Sequence, residues 1–354
     1  MSLKVIAAVF ITSIGVASCG GGSSASADQQ SATVAAQSSF AAESQLSASA
    51  AQVVAPKSLV NKNLLPKTID PAATQAFETH IAINPSPAVA ARGLLFVFLA
   101  GTGGHPTDYQ LILNSGAAKG LHTLGLNYAG EDAIGVACSD AAAVDKCFWN
   151  ARREVITGVR TSAQVNVGVH DAIVPRLTKT LAYLQANFPK QGWGQYLLAD
   201  GTVNWSKINV GGHSQGGGHA GAMAKLYAMN RTCYFDSPAD WDTASNGPAS
   251  WEAYPNLTPA TQQIGFTHTS DLVVPYAYLT LIWNAMGMAK FGPAVSVDTV
   301  AAPFNQSHVL TTSAASPNGK TAATVHSTTV ADFATPVVNG TPLFGAVWTY
   351  ACFQ

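Results

Sequence analysis

The sequence predicts an α/β domain: a mostly parallel central sheet flanked by helices, with a short insertion after the sixth strand. Two observations predict it. From about residue 60, apolar runs bounded by glycines alternate with helical patterns. The runs are unbroken, as in strands buried on both faces of a parallel sheet. With 354 residues, 47% of them apolar, the chain can bury one large core or two modest ones.

The elements follow in order. Gly93–Gly101 is a strand of apolar residues between glycines. Tyr109–Lys119 is a short helix, and Leu121–Tyr128 a second strand ending at Ala129-Gly130. Residues 146–157 read as helix. Ile173, Leu177, Leu181 and Leu184 recur at helical spacing, which makes 169–187 an amphipathic helix with Pro189 just beyond it. Lys207–Gly211 is a strand followed by a helix over Gln215–Met229. Strands at Thr232–Phe235 and Ile264–Thr269 bracket an insertion, Ser237–Leu257, that carries Trp241, Trp251 and Tyr254. That insertion reads as a small lid or pocket wall, or as a surface loop with buried aromatics. A helix covers Tyr276–Met288, and either 294–300 or the segment after His308 is the last strand. An amphipathic segment, Pro342–Phe353, closes the chain.

Before this domain, Lys4 precedes an apolar run, Val5–Val16, of signal-peptide length. A membrane-spanning helix needs about 20 residues. The run ends in Val16-Ala17-Ser18-Cys19, which resembles a lipoprotein signal with Cys19 as the lipidated residue. This divides the chain into a leader (1–18), a lipidated cysteine with a Gly/Ser/Ala/Gln tether (19–56) and a folded domain (57–354). The expected location is the bacterial envelope, outer membrane or periplasm, with the membrane contacted through the Cys19 anchor. Four other cysteines remain, an even count that suits an exported chain. Cys138 and Cys147 close a short loop and are the favoured pair, leaving Cys233 with Cys352; spacing alone admits three connectivities. Charge excludes other classes. With 18 basic and 19 acidic residues, the chain has no excess for nucleic-acid phosphates and no polybasic patch. No Cys/His spacing calls for a metal, and no cofactor is expected.

The sharpest chemical signal is Gly212-His213-Ser214-Gln215-Gly216, a G-x-S-x-G run between an apolar strand and a helix rich in small residues. A strand that turns abruptly into a helix exposes the serine hydroxyl, leaves no room for side chains two positions away, and aims the helix amides at a developing oxyanion. In this context the sequence resembles the α/β-hydrolase superfamily, in its lipase/esterase branch, over roughly residues 90–354; it is also similar to uncharacterised secreted bacterial hydrolases. That resemblance implies a Ser-Asp-His triad with Ser214 as nucleophile. It places the acid at a strand end, where Asp271 stands; Asp240 is the alternative, one strand earlier. It implies an oxyanion loop at Gly101-Thr102-Gly103-Gly104-His105, with donors from Gln215 and from Thr102 or Gly103. Chain order then restricts the base to His326 or His308, with His326 favoured because it follows the strand after His308. His213 is read as a packing residue. Three functions compete: hydrolysis of small or polymeric carboxylic esters, peptidase or amidase chemistry on the same scaffold, and non-catalytic surface binding.

Overall fold

The computed structural model describes residues 61–139 and 143–354; the leader, Cys19 and the tether lie outside them. Among the described residues, nine strands form the main sheet: β1 (Asn61–Leu64), β2 (His80–Ile83), β3 (Leu95–Leu99), β4 (His122–Gly125), β5 (Ile208–His213), β6 (Arg231–Phe235), β7 (Gln263–His268), β8 (Val295–Ser296) and β9 (Val309–Thr312). Their order is β1-β2-β4-β3-β5-β6-β7-β9-β8. The pairs β1–β2 and β2–β4 are antiparallel, and the others are parallel. The sheet is thus mostly parallel.

Among the described residues, the α-helices of six or more residues are α1 (Gln110–Ala118), α2 (Ile134–Ser139), α3 (Val144–Thr157), α4 (Ile173–Asn187), α5 (Gln215–Leu226), α6 (Tyr276–Ala285), α7 (Ala322–Ser327) and α8 (Gly345–Cys352). Strand alternation divides the core. Leu95, Val97 and Leu99 pack with α3, α4, α5 and α6 through Phe148, Leu177, Met223 and Ile282. Phe96 and Phe98 face the other way, toward Ile112 of α1 and Trp348 of α8. Each large side chain buried this way contributes about 1.5–3 kcal/mol. The helix expected from 169 begins at Ile173, with Pro175 in its first turn, where the missing amide hydrogen costs little.

Two differences from the sequence pattern have physical causes. β1 reads Asn-Lys-Asn-Leu, with no apolar pattern, and becomes a strand by pairing with the buried β2. At the other edge both candidate last strands enter the sheet, because β9 pairs with β7 and leaves its outer edge for β8.

The chain leaves β3 toward β4 on one side and later returns to β5 on the other side of β3. A crevice opens at the carboxyl ends of the strands at such a reversal. Thr102 follows β3 and Ser214 follows β5, so the reversal brings them together.

Both disulfides are formed: Cys138–Cys147 joins α2 to α3, and Cys233–Cys352 ties β6 to α8. They fit a protein of an oxidising compartment. No helix among the described residues is long and apolar enough to cross a membrane. The second bridge closes a separation of 119 residues. Removing a loop closure of that size by Cys233→Ala/Cys352→Ala is expected to lower unfolding free energy by about 2–5 kcal/mol in urea titrations. A loss below about 1 kcal/mol would contradict a stapling role for this bridge.

Candidate active site

Ser214 sits between the last residue of β5 and the first of α5 with φ 50° and ψ −120°, a conformation that non-glycine residues rarely adopt. Its amide donates to Phe235 O (2.9 Å), and its carbonyl accepts from Gly218 N (3.0 Å). The glycines around it are sterically required. A Cβ at Gly212 would stand 2.3 Å from the Gly216 carbonyl carbon, and one at Gly216 would stand 2.2 Å from Leu99 O. The hydroxyl of Ser214 is buried and makes no hydrogen bond among the described residues. It lines a cavity of about 140 Å³.

The loop after β3 reaches that cavity through Thr102. Its amides are not equivalent. Gly101 N donates to Tyr109 Oη (3.2 Å), Gly104 N to Gly101 O (3.1 Å), and Gly103 N to Gly130 O (3.2 Å). Of the two expected alternatives, Gly103 therefore has its amide engaged in the protein. Thr102 lines the cavity beside Ser214 and Gln215, and its hydroxyl is buried without a partner among the described residues. The Gln215 side chain clamps the neighbouring segment, accepting from Ile134 N (2.8 Å) and donating to Gly130 O (3.0 Å).

His326 lies on α7, a short helix capped by Thr321, whose hydroxyl accepts from Thr324 N (3.1 Å). Its Nδ1 is 2.7 Å from Asp271 Oδ2, and both side chains are completely buried. The other oxygen of Asp271 accepts from Val273 N (2.8 Å) and Val274 N (3.2 Å). One carboxylate thus anchors its own turn and holds the imidazole. His326 packs against His213, with ring centroids 4.7 Å apart, and His213 directly precedes the serine. His213 Nε2 lies 3.2 Å from His326 O, which can only accept, so the proton is on Nε2 and Tyr109 Oη donates to Nδ1 (3.0 Å). Burial, then the neighbouring His326, holds His213 well below the usual imidazole range. It is a neutral packing residue.

The alternative residues are engaged in other contacts. His308 precedes β9, at the opposite end of the sheet from Ser214. Its ring stacks on Phe291 (4.1 Å) and its Nδ1 is 3.0 Å from Ala260 O. Asp240 lines the cavity, but both of its oxygens are held by Arg152 at 2.5 Å and one also by Trp251 Nε1 (2.9 Å). It is engaged in an ion pair and makes no hydrogen bond with a histidine among the described residues. The insertion supplies cavity wall, with Trp241 stacked on Tyr278 (4.0 Å).

Sequence reasoning passed over Asp236, the first residue after β6, which is fully buried. Asp236, Asp271 and His326 each offer a ligand atom within 4.8 Å of the others, a grouping that could hold a metal ion. The oxygens of both carboxylates already accept hydrogen bonds from protein groups, and a cation would have to displace those donors. The donor set is that of a hydrogen-bonded network. The available signal for Asp236 was its position: an acid directly after a buried strand, the same context that singled out Asp271.

No family model matches the chain, and no curated protein matches it.

Proposed function

We propose that the protein is an exported, lipid-anchored serine hydrolase with an α/β-hydrolase fold that cleaves carboxylic esters. The observation that carries this reading is Ser214, held in a strained turn at the rim of a cavity while a buried His326–Asp271 pair packs against the residue before it.

The chemistry follows from the geometry. Asp271 holds the Nδ1 proton of His326, so Nε2 is the nitrogen that takes the Ser214 proton as Oγ attacks the ester carbonyl. Charge develops on the carbonyl oxygen at the head of α5. Gln215 and Thr102 line the cavity beside Ser214, and their amides are the proposed donors; loss of one such donor typically costs about 10²–10³ in kcat. The imidazolium returns its proton to the leaving alcohol, and water then hydrolyses the acyl-enzyme by the same steps. The opening hydrogen bond from Ser214 forms when substrate is bound, as is common for such sites.

Phe148, Trp241, Val273, Val274, Pro275 and Tyr278 give the cavity an apolar lining. That lining fits an apolar acyl group. Turnover of p-nitrophenyl esters from acetate to octanoate tests this, with Ser214→Ala as control and matched anilides to separate ester from amide cleavage. Ser214-dependent ester hydrolysis is expected; Ser214-independent turnover would contradict the reading. Val144 is half-buried on α3 at the cavity wall. Val144→Phe is expected to lower kcat/KM for octanoate about tenfold while leaving acetate within about threefold. Equal effects on both chains would show that this wall does not receive the acyl group.

A further inference from the structure

Asp236 has a backbone φ of 51°, in the left-handed region that aspartate tolerates better than most residues. Its amide donates to Phe266 O (3.0 Å). Its carboxyl gathers three donors from two segments. Oδ1 accepts from the Thr267 hydroxyl (2.7 Å) and His268 N (3.0 Å) at the end of β7. Oδ2 accepts from the hydroxyl of Thr329, three residues past His326. Asp236 thereby ties the ends of β6 and β7 to the segment that carries the histidine.

A neutral acceptor could satisfy hydroxyls and an amide. A second buried acid beside Asp271 is costly, since two carboxyls in one dry site oppose each other's ionisation. Burial and then the Asp271 charge push Asp236 up to about 7, while His326 acts in the opposite direction. The compensating group is the imidazole, because oxygens of both acids and a ring nitrogen of His326 fall within 4.8 Å of one another.

We propose that Asp236 is a positioning residue of the site: with Asp271 it forms a two-acid cradle that orients His326 and favours its cationic form. The consequence for turnover rests on the hydrolase reading; the electrostatic claim does not. Asp271 holds the Nδ1 proton, and Asp236 anchors the Thr329 segment and adds negative charge when ionised. The other titratable groups around the cradle do not replace it. His268 of β7 places Nε2 3.3 Å from Ala314 O and receives Ser270 N at Nδ1 (3.0 Å). His213 of β5 is kept neutral by burial.

The test is an NMR titration of the histidine side chains in ¹⁵N-labelled protein, with the His326 signal assigned by its loss in His326→Gln. In Asp236→Asn the His326 midpoint is expected to fall by about one pH unit. An unchanged midpoint in a folded variant would overturn the proposal. Should Asp236→Asn not fold, Thr329→Val removes one donor from the carboxyl and keeps the acid. It is expected to shift His326 downward by a smaller amount, and no shift would overturn the proposal. This readout needs no substrate. A wild-type protein without Ser214-dependent ester turnover would count against the hydrolase reading alone. Where turnover is present, Asp236→Asn is expected to lower kcat about tenfold, with KM within twofold and the acidic limb of the pH profile displaced. An unaltered kcat and pH profile would count against the cradle.

Discussion

His326→Ala is expected to lower kcat for a short p-nitrophenyl ester by about 10⁴- to 10⁶-fold, while His308→Ala leaves it within about threefold. The asymmetry follows from placement. His326 is completely buried, bonded to Asp271 at 2.7 Å and packed on His213, the residue before Ser214. In the proposed mechanism the imidazole is the base for the serine proton, and without it the Asp271 carboxylate loses its partner. His308 stands before β9, where all nearby strands begin, stacked on Phe291 and bonded to the Ala260 carbonyl. Its loss removes one buried stacking contact at the end of the sheet away from Ser214. Asp271→Asn is expected to resemble the His326 change, since an amide in that position no longer fixes the imidazole tautomer. Initial rates for the three variants, with melting curves to establish folding, decide the matter. A larger loss for His308→Ala would mean that the base has been misassigned.

The largest effect on stability is expected at Arg152. Its guanidinium meets Asp240 through Nε and Nη2, both at 2.5 Å, with 3% of each side chain exposed. Nη1 also donates to Gln215 O (3.2 Å), so the pair braces the helix that begins at the serine turn. Gly218 makes the space: a Cβ there would stand 2.3 Å from Nη2. Burial first, then Asp240, pushes the carboxyl of nearby Glu252 well above the usual carboxylate range, and Asp240 is the acid that bonds the guanidinium. Arg152→Met strands that anion in an apolar setting and is expected to cost about 3–5 kcal/mol, read from urea midpoints. Arg152→Met/Asp240→Leu removes both charges and is expected to recover most of the loss. A single variant within about 1 kcal/mol of wild type would show that water reaches the pair.

Much of the frame around the serine is legible in the sequence, for local reasons. An unbroken apolar run marks β3, and the glycines near Ser214 mark a turn without room for Cβ atoms. Apolar spacing marks α4, which begins at Ile173 with Pro175 in its first turn. The remainder depends on pairing between distant segments. β1 has no pattern of its own and exists through β2. β9 separates His308, just before its first residue, from His326, beyond its last, and 309–312 enters the sheet by pairing with the distant β7. Asp240 and Asp236 stand four residues apart in one loop. Local composition cannot tell which of them turns toward an ion pair on α3 and which toward His326. Likewise, Gly103 and Thr102 differ as donors through a single bond to Gly130, which belongs to the loop after another strand.

The most direct test of the central claim is fluorophosphonate labelling of the folded protein at neutral pH, followed by peptide mass spectrometry. The proposed serine-hydrolase reading predicts one covalent adduct, on the Ser214 peptide, absent from Ser214→Ala and strongly slowed in His326→Ala. Folded protein that gives no adduct at Ser214, or that labels equally after Ser214→Ala, would contradict it.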